Sequence, residues 1–174
     1  MKSRILILLF IIAGIVNANA QATRMAIGAR ATPDGLGASF KGFLDRNLAI
    51  EAQLNVGGII TLPGESFTAV GLLEYHIPLP DPAFRIYFGG GLHAGTWVNR
   101  GGHADEFIFG MDGIGGIEYV FKSIPLGISA DLKPAINFVQ EAEFFPHNIF
   151  GVSARYYFSR GHIRPAAPAA PARR

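Results

Sequence analysis

From Arg24 onward, apolar and polar residues alternate one for one in short segments separated by Pro, Gly, Asp and Asn. Alternation of that period puts successive side chains on opposite faces of a β-strand. It predicts eight strands: Arg24–Ala31, Leu36–Leu44, Leu48–Val56, Phe67–Ile77, Phe84–Trp97, Gly110–Phe121, Ile124–Asn137 and Asn148–Phe158. Thr32-Pro33-Asp34-Gly35, Asp45-Arg46-Asn47, Pro78–Pro82 and Lys122-Ser123 are turn signals. Gly57–Ser66, Asn99–Phe109 and Phe138–His147 are longer connections, with Asn99–Phe109 the longest. After the first turn, short and longer connections alternate. Pro134 falls on the apolar phase of the seventh strand, where a residue without an N–H predicts a bulge or an earlier strand end.

The two phases differ in charge. In the third strand Leu48, Ile50, Ala52, Leu54 and Val56 face away from Glu51, Gln53 and Asn55. In the eighth, Phe150, Val152, Ala154, Tyr156 and Phe158 face away from Ser153, Arg155 and Tyr157. The polar phase is sparsely charged, and its charges nearly balance. Arg30, Lys41, Arg85, Lys133 and Arg155, with Arg24, stand against Glu51, Glu74, Glu118 and Asp131, with Asp112. A solvated exterior would carry more Lys and Glu, whereas charges inside a narrow barrel must pair because an unpaired buried charge costs several kcal/mol. Aromatics gather at the strand ends: Tyr75, Phe84, Tyr119, Phe121, Tyr156 and Phe158 at one, and Phe67, Trp97, Phe107, Phe109, Phe144 and Phe145 at or beyond the other. Two such girdles belong at membrane interfaces. The expected fold is all-β, an eight-stranded antiparallel transmembrane β-barrel with a filled polar lumen. A soluble barrel with the apolar phase inside is the competing architecture.

The chain ends change the picture in one respect each. Lys2 and Arg4 precede the apolar run Ile5–Ile12, and Ala18-Asn19-Ala20 is an A-x-A cleavage pattern, so residues 1–20 read as a secretory signal peptide. Without Lys2 and Arg4, the 15 Lys+Arg fall to 13, equal to the 13 Asp+Glu, which removes any argument for nucleic acid as a partner. The barrel reading covers residues 21–158. Residues 159–174, rich in Pro, Ala and Arg, read as an unfolded periplasmic tail. The absence of cysteine excludes disulfides and thiolate chemistry.

Several segments carry a resemblance. Ile27-Gly28-Ala29-Arg30, Gly37-Ala38-Ser39-Phe40-Lys41 and Asp45-Arg46-Asn47-Leu48-Ala49-Ile50-Glu51 are among them. Tyr87-Phe88-Gly89-Gly90-Gly91-Leu92, Gly115-Gly116-Ile117-Glu118-Tyr119 and Val152-Ser153-Ala154-Arg155-Tyr156-Tyr157-Phe158 add to it. Together, from about Thr23 to Phe158, they resemble the OmpA/OmpX-like superfamily of small outer-membrane barrels, and in particular the outer-membrane β-barrel domain proteins of Bacteroidetes. The resemblance implies that Tyr156 and Phe158 form the terminal signal read by the barrel assembly machinery. It also implies outer-membrane lipid and lipopolysaccharide as surroundings. In OmpA-like proteins a Pro–Ala linker leads to a peptidoglycan-binding domain. Here it leads only to Arg173-Arg174, so that activity is not implied.

Candidate chemistry is sparse. On one strand, metal ligands need i, i+2 spacing, and among histidines only Glu74/His76 offers it, which reads as a lumen hydrogen bond rather than a metal site. His103, His147 and His162 lie in loops or tail. Ser39, Ser66, Ser129 and Ser153 are the candidate nucleophiles of a lipid A-modifying enzyme, but none stands in an H-x-S arrangement. Asp105-Glu106 and Glu141/Glu143 are acidic loop patches, read as solvated rather than as Ca²⁺ ligands. Phe107, Phe109, Phe144 and Phe145 are read as loop-tip contacts for lipid or a partner. The glycine runs lack the strand–loop–helix setting of a phosphate loop. The expectation is therefore a monomeric, non-enzymatic barrel without a cofactor, its lumen plugged by ion pairs and its activity in the outer loops. A narrow channel or carrier and a lipid A-modifying enzyme are the alternatives.

Overall fold

The computed structural model describes residues 24–33, 35–57, 65–98, 106–138, 143–145 and 149–158. The proposed signal, the tail and loop residues such as His103, Asp105, Glu141 and His147 lie outside the described residues. The described elements are all strands: β1 (Met25–Ala31), β2 (Gly35–Phe43), β3 (Leu48–Gly57), β4 (Glu65–Pro78), β5 (Phe84–Val98), β6 (Glu106–Val120), β7 (Leu126–Leu132), β8 (Ala135–Asn137), β9 (Glu143–Phe145) and β10 (Phe150–Tyr157). Every pairing is antiparallel, β5 pairs with β6, and β10 pairs with β1. The sheet therefore closes on itself. β7 with β8 and β9 with β10 are interrupted halves of the seventh and eighth wall strands, so the closed barrel has eight strands. Among the described residues no helix is long and apolar enough to cross a membrane.

Closure requires stagger. Partners followed round the ring from Ala26 run through Lys41, Glu51, Leu72, Gly91, Asp112 and Ala135 to Phe145. The path starts at the lower end of the first wall strand and finishes beyond the upper end of β10. That offset is the strand tilt a closed sheet needs. It also brings side chains from distant sequence positions to one level of the lumen.

Three tight connections share one end of the barrel. At the first, the Asp45 carboxylate accepts the N–H groups of Asn47 and Leu48, each at 2.7 Å. At the second, Asp81 accepts the N–H of Ala83 at 3.0 Å and pairs with Lys122 of the third. Phe158 N–H donates to the Met25 carbonyl and seals the last strand to the first at this same end. The other end carries the Thr32–Gly35 hairpin and the connections 58–64 and 99–105; we call it the loop end.

Two features differ from the pattern-based expectation. β6 starts at Glu106, not Gly110, because β5 offers partners through Trp97: Thr96 pairs with Phe107 and Ala94 with Phe109. The connection shortens to 99–105, the same length as 58–64. Pro134 sits opposite Gly113, whose N–H donates to the Pro134 carbonyl at 2.9 Å. The return bond cannot form because proline has no N–H. The strand nevertheless keeps register with β6 on both sides of Pro134. The irregularity falls on the other neighbour. Between Leu132↔Phe150 and Ala135↔Phe145, three residue steps are opposed by five, a two-residue register change.

Replacing Pro134 by Val supplies the missing donor, and one hydrogen bond contributes about 1 kcal/mol. Pro134→Val is expected to raise urea stability by that order and to slow exchange of the new amide. An unchanged or lowered stability would mean that the register change requires proline. A second expectation concerns Asp45. Its two backbone hydrogen bonds hold the carboxyl below the ordinary Asp value of 3.8. Because the folded value is depressed, the stabilising contribution is complete above 3.8 and is lost as pH falls through the folded value. Asp45→Ala should therefore be less stable than wild type at neutral pH, with the gap closing in acid, as read by urea midpoints across pH.

Candidate functional site: the lumen and its loop-end cavity

The interior inverts the usual distribution of residues. The largest fully buried side chains include Arg30, Arg155, Tyr87, Lys41, His76, Gln53, Glu51, Glu74 and Glu118, while Ile50, Leu54, Leu73, Phe88, Leu92, Met111, Ile128 and Val152 lie exposed on the outer face. Alternation along each strand is the local cause. Closure then decides that the polar phase points in.

The buried charges form levels. Toward the tight-turn end, Lys41 Nζ lies 2.9 Å from Glu51, 2.7 Å from Glu74 and 4.0 Å from Glu118. Lys41 and Glu51 are direct cross-strand partners, so register alone sets them together. Arg155 donates to Glu51 at 2.7 Å, to Ser39 at 2.9 Å and to Ser129 at 2.7 Å, and lies 3.8 Å from Glu118. His76 Nε2 meets Glu74 at 3.0 Å, and its ring stacks on Tyr87 at 5.1 Å. Above this level, Arg30 pairs with Asp131, which also accepts the Tyr87 hydroxyl at 3.0 Å. Nearest the loops, Asp112 accepts from Lys133 at 3.1 Å and contacts His93 Nδ1 at 2.7 Å, while His93 Nε2 lies 2.6 Å from Asn137. An apolar floor of Ala26, Phe43, Ala49 and Tyr157 closes the tight-turn end.

Of the nine charges assigned to the lumen from sequence, Arg30, Lys41, Glu51, Glu74, Glu118, Asp131, Lys133 and Arg155 are buried and in ion pairs. Arg85 is also buried, but its guanidinium stands over the Phe43 ring at 5.7 Å. Asp112, Gln53, His76 and Ser153, on the same phase by sequence, are buried as well, and Tyr87, His93, Asn137, Ser39 and Ser129 join them. Their signal was their phase, which is the same as that of the charges. Val70, Leu72 and Ile114 share that phase too and pack inward with Tyr87, so a polar character does not mark every lumen position.

Glycines set the space for this network. A Cβ at Gly151 would fall on the Arg30 guanidinium, one at Gly116 would come within 2.8 Å of Tyr87 Cζ, and one at Gly110 within 2.6 Å of His93 Cε1. Three long buried side chains therefore lie over bare backbone on a neighbouring strand.

The remaining candidate residues are placed as follows. Phe107 and Phe109 lie in β6 and face outward, with Phe109 6.4 Å from the Phe138 ring, so they are wall residues rather than loop tips. The backbone of Phe144 and Phe145 belongs to β9, again a strand. Tyr156 and Phe158 face outward at the tight-turn end with rings 5.5 Å apart. Phe84–Tyr119 and Tyr119–Phe121 contacts, at 4.7 and 4.9 Å, lie at the same end. Ser39, Ser129 and Ser153 all hydrogen-bond Arg155, which leaves them spent on structure. Among the described residues, no group of three His, Asp or Glu side chains is placed to hold a metal.

At the loop end the filling stops. A cavity of about 60 Å³ is lined by Arg30, Asn55, Ser66, His93, Asp112 and Lys133, among others.

No protein-family model matches the chain. No curated protein matches it either. Its fold is similar to that of the N-terminal β-barrel domain of Pseudomonas aeruginosa OprF, with a TM-score of 0.62 and 15% identity over 78% of this chain and 96% of that one. Neisserial surface protein A also aligns, at a TM-score of 0.43 and 12% identity, over 78% of this chain and 90% of that one. The OprF likeness shows a shared small-barrel fold. It does not bear on the Bacteroidetes resemblance.

Removal of Arg155 leaves Lys41 alone against the buried Glu51, Glu74 and Glu118, an uncompensated charge worth about 3–5 kcal/mol. Arg155→Met should lower urea stability by that order, and Arg155→Met with Glu51→Gln by less than Arg155→Met alone. Gly151→Ala should cost about 1–3 kcal/mol through overpacking against Arg30. Gly71→Ala, where a Cβ meets nothing within 4 Å, is the control and should be near neutral.

Proposed function

We propose that this chain is an outer-membrane β-barrel protein of structural or surface-contact type, without enzymatic activity, made with a cleaved signal and resident in a Gram-negative envelope. The observation that carries the reading is the inside-out distribution. A continuous outer band of Ile, Leu, Val and Phe surrounds an interior of paired Arg, Lys, Glu and Asp. In water such a surface would aggregate, since soluble monomers rarely expose apolar patches above a few hundred Å². In lipid it is the preferred solvent-facing surface, and closure satisfies the backbone hydrogen bonds that lipid cannot. The aromatic contacts at the tight-turn end support an interfacial girdle there.

On this reading the lumen is a plug, because an eight-stranded interior is just wide enough for side chains to fill it. The loops carry the surface role, and lipopolysaccharide is the neighbouring lipid. Tyr156 and Phe158 act as the terminal recognition element for barrel assembly, and the protein works as a monomer. The channel reading is disfavoured by the stacked ion-pair levels. The lipid A-modifying reading is disfavoured by Ser39, Ser129 and Ser153, which are committed to Arg155.

Leu92 tests the membrane claim. It is 51% exposed in the middle of β5. Leu92→Arg should cost about 2–4 kcal/mol in protein folded into lipid vesicles, the depth-dependent cost of a midplane cation. In a soluble barrel an exposed substitution would stay within about 0.5 kcal/mol. Fractionation with the outer membrane and heat-modifiable gel migration are the expected companions. A soluble, non-modifiable protein insensitive to Leu92→Arg would overturn the proposal.

A further inference from the structure

Beside the loop-end cavity one side chain reaches across a whole strand. His93 on β5 stands opposite Gly110 on β6, and Gly110 stands opposite Asn137 on β8. β5 and β8 are thus two strand spacings apart, about 10 Å. The His93 ring bridges them, with Nε2 2.6 Å from Asn137 Oδ1. The bare backbone of Gly110 makes the bridge possible: a Cβ there would lie 2.6 Å from Cε1 and 2.8 Å from Nε2. Nδ1 lies 2.7 Å from Oδ2 of Asp112, two residues along β6 on the same face. The ring is buried, so these two contacts are its main hydrogen-bond partners. What it holds is a short piece of the wall. β8 is three residues long and follows Pro134, which accepts from Gly113 but has no N–H to give back. Its other neighbour, β9, is three residues long as well. Ala135 and Asn137 of β8 line the cavity.

The proton count decides how strong the bridge is. An ionised carboxylate and an amide oxygen both accept, and neither donates. With Asp112 ionised in its pair with Lys133, both contacts are satisfied as they stand only when Nδ1 and Nε2 each carry a hydrogen. That is the imidazolium form. A neutral ring keeps one hydrogen. The carboxylate holds it at Nδ1, and Nε2 then needs Asn137 to turn its amide and donate where it had accepted. A charge-assisted bond gives way to a neutral one, which is about half as strong. The charged groups around the ring are Asp112 in contact with it, Lys133 on the other oxygen of Asp112, and Arg30 on β1, which lines the same cavity and pairs with Asp131 of β7. β4 presents Val70 opposite His93, with Thr68 and Ser66 in the cavity wall, none of them titratable. We propose that His93 is a proton-operated clip: doubly protonated, it fastens β8 to β5 and β6, and on losing one proton it lets the β8 wall of the cavity loosen. The contact is complete while the ring is charged and weakens as pH rises through the titration of the ring. The clip needs only the closed barrel, so it stands or falls independently of the membrane proposal.

The test uses the full chain refolded in an uncharged maltoside detergent with ¹⁵N-labelled histidine. The His93 ring signals are assigned by their loss in His93→Gln. Both ring nitrogens should be protonated in acid. Nε2 should lose its hydrogen as pH is raised through neutral into mild alkali, while Nδ1 keeps its own. Over the same titration, hydrogen exchange is followed at the Phe138 amide, which donates to the Phe109 carbonyl just past β8. Its protection, corrected for the intrinsic exchange rate, should fall about tenfold along the His93 curve, the difference between a charge-assisted and a neutral hydrogen bond. Amides between β2 and β3 should show no such step. Asn137→Ala removes the acceptor and should leave Phe138 at the lower protection at every pH while His93 still titrates. His93→Gln should likewise abolish the step. If His93→Gln does not fold, the wild-type titration and Asn137→Ala carry the test. A His93 ring with one hydrogen at every pH, or with two at every pH, would overturn the proposal. So would Phe138 protection that shows no step in wild type, or a step that survives in Asn137→Ala.

Discussion

Arg155 ties the wall together from inside. Its guanidinium reaches Ser39 on β2, Glu51 on β3, Glu118 on β6 and Ser129 on β7 while standing on β10 itself. A charge in so narrow an interior has no water to retreat to, so its partners must come from the protein. The consequence is a demand for registry. A strand that slipped by one residue would turn its charges to the outside and leave its partners bare. The polar lumen therefore specifies which residues face each other across the barrel. The apolar exterior specifies only that they face in.

Space imposes the second demand. Large side chains can fill a small cylinder only where something opposite is missing. Gly151 yields to Arg30, Gly116 to Tyr87 and Gly110 to His93. The tight-turn end is closed by Phe43 and Tyr157 against two alanines, which keeps the lower ion pairs dry. Toward the loops the partners thin out. Arg30 pairs with Asp131 and, nearer the loops, Lys133 with Asp112, and beside this last pair the cavity opens. The change from apolar floor to polar-lined cavity gives the barrel a chemical direction as well as a geometric one.

The wall obeys a stricter rule than the lumen. Each backbone donor facing the apolar exterior needs a neighbour, and antiparallel pairing all round supplies it. Pro134 is the point where the rule bends. The seventh strand holds its register with β6 through the missing bond, and the eighth strand absorbs the change with two extra residue steps. The disruption lies at the level of the cavity, where Lys133 and Ala135 line it.

Strands, turns and the two faces are legible in the chain because they depend on neighbours one or two residues apart. Leu48, Ile50, Ala52 and Leu54 announce a face without any knowledge of β2 or β4. The tight turn at Asp45 is similarly local, made by a carboxylate and the two amides that follow it. What closure alone decides is everything that depends on strand order and stagger. Arg155 and Glu51 stand 104 residues apart, and no local pattern joins them. Phe107 and Phe109 belong to the wall only because β5 extends far enough to pair with them. Arg85 shares the phase of the paired charges and is the cross-strand partner of Glu118, yet its guanidinium stands over the Phe43 ring. Alternation determined that one phase would be charged and the other apolar. The ring determined which phase was inside, which charges met, and where the pairing ran out to leave a cavity.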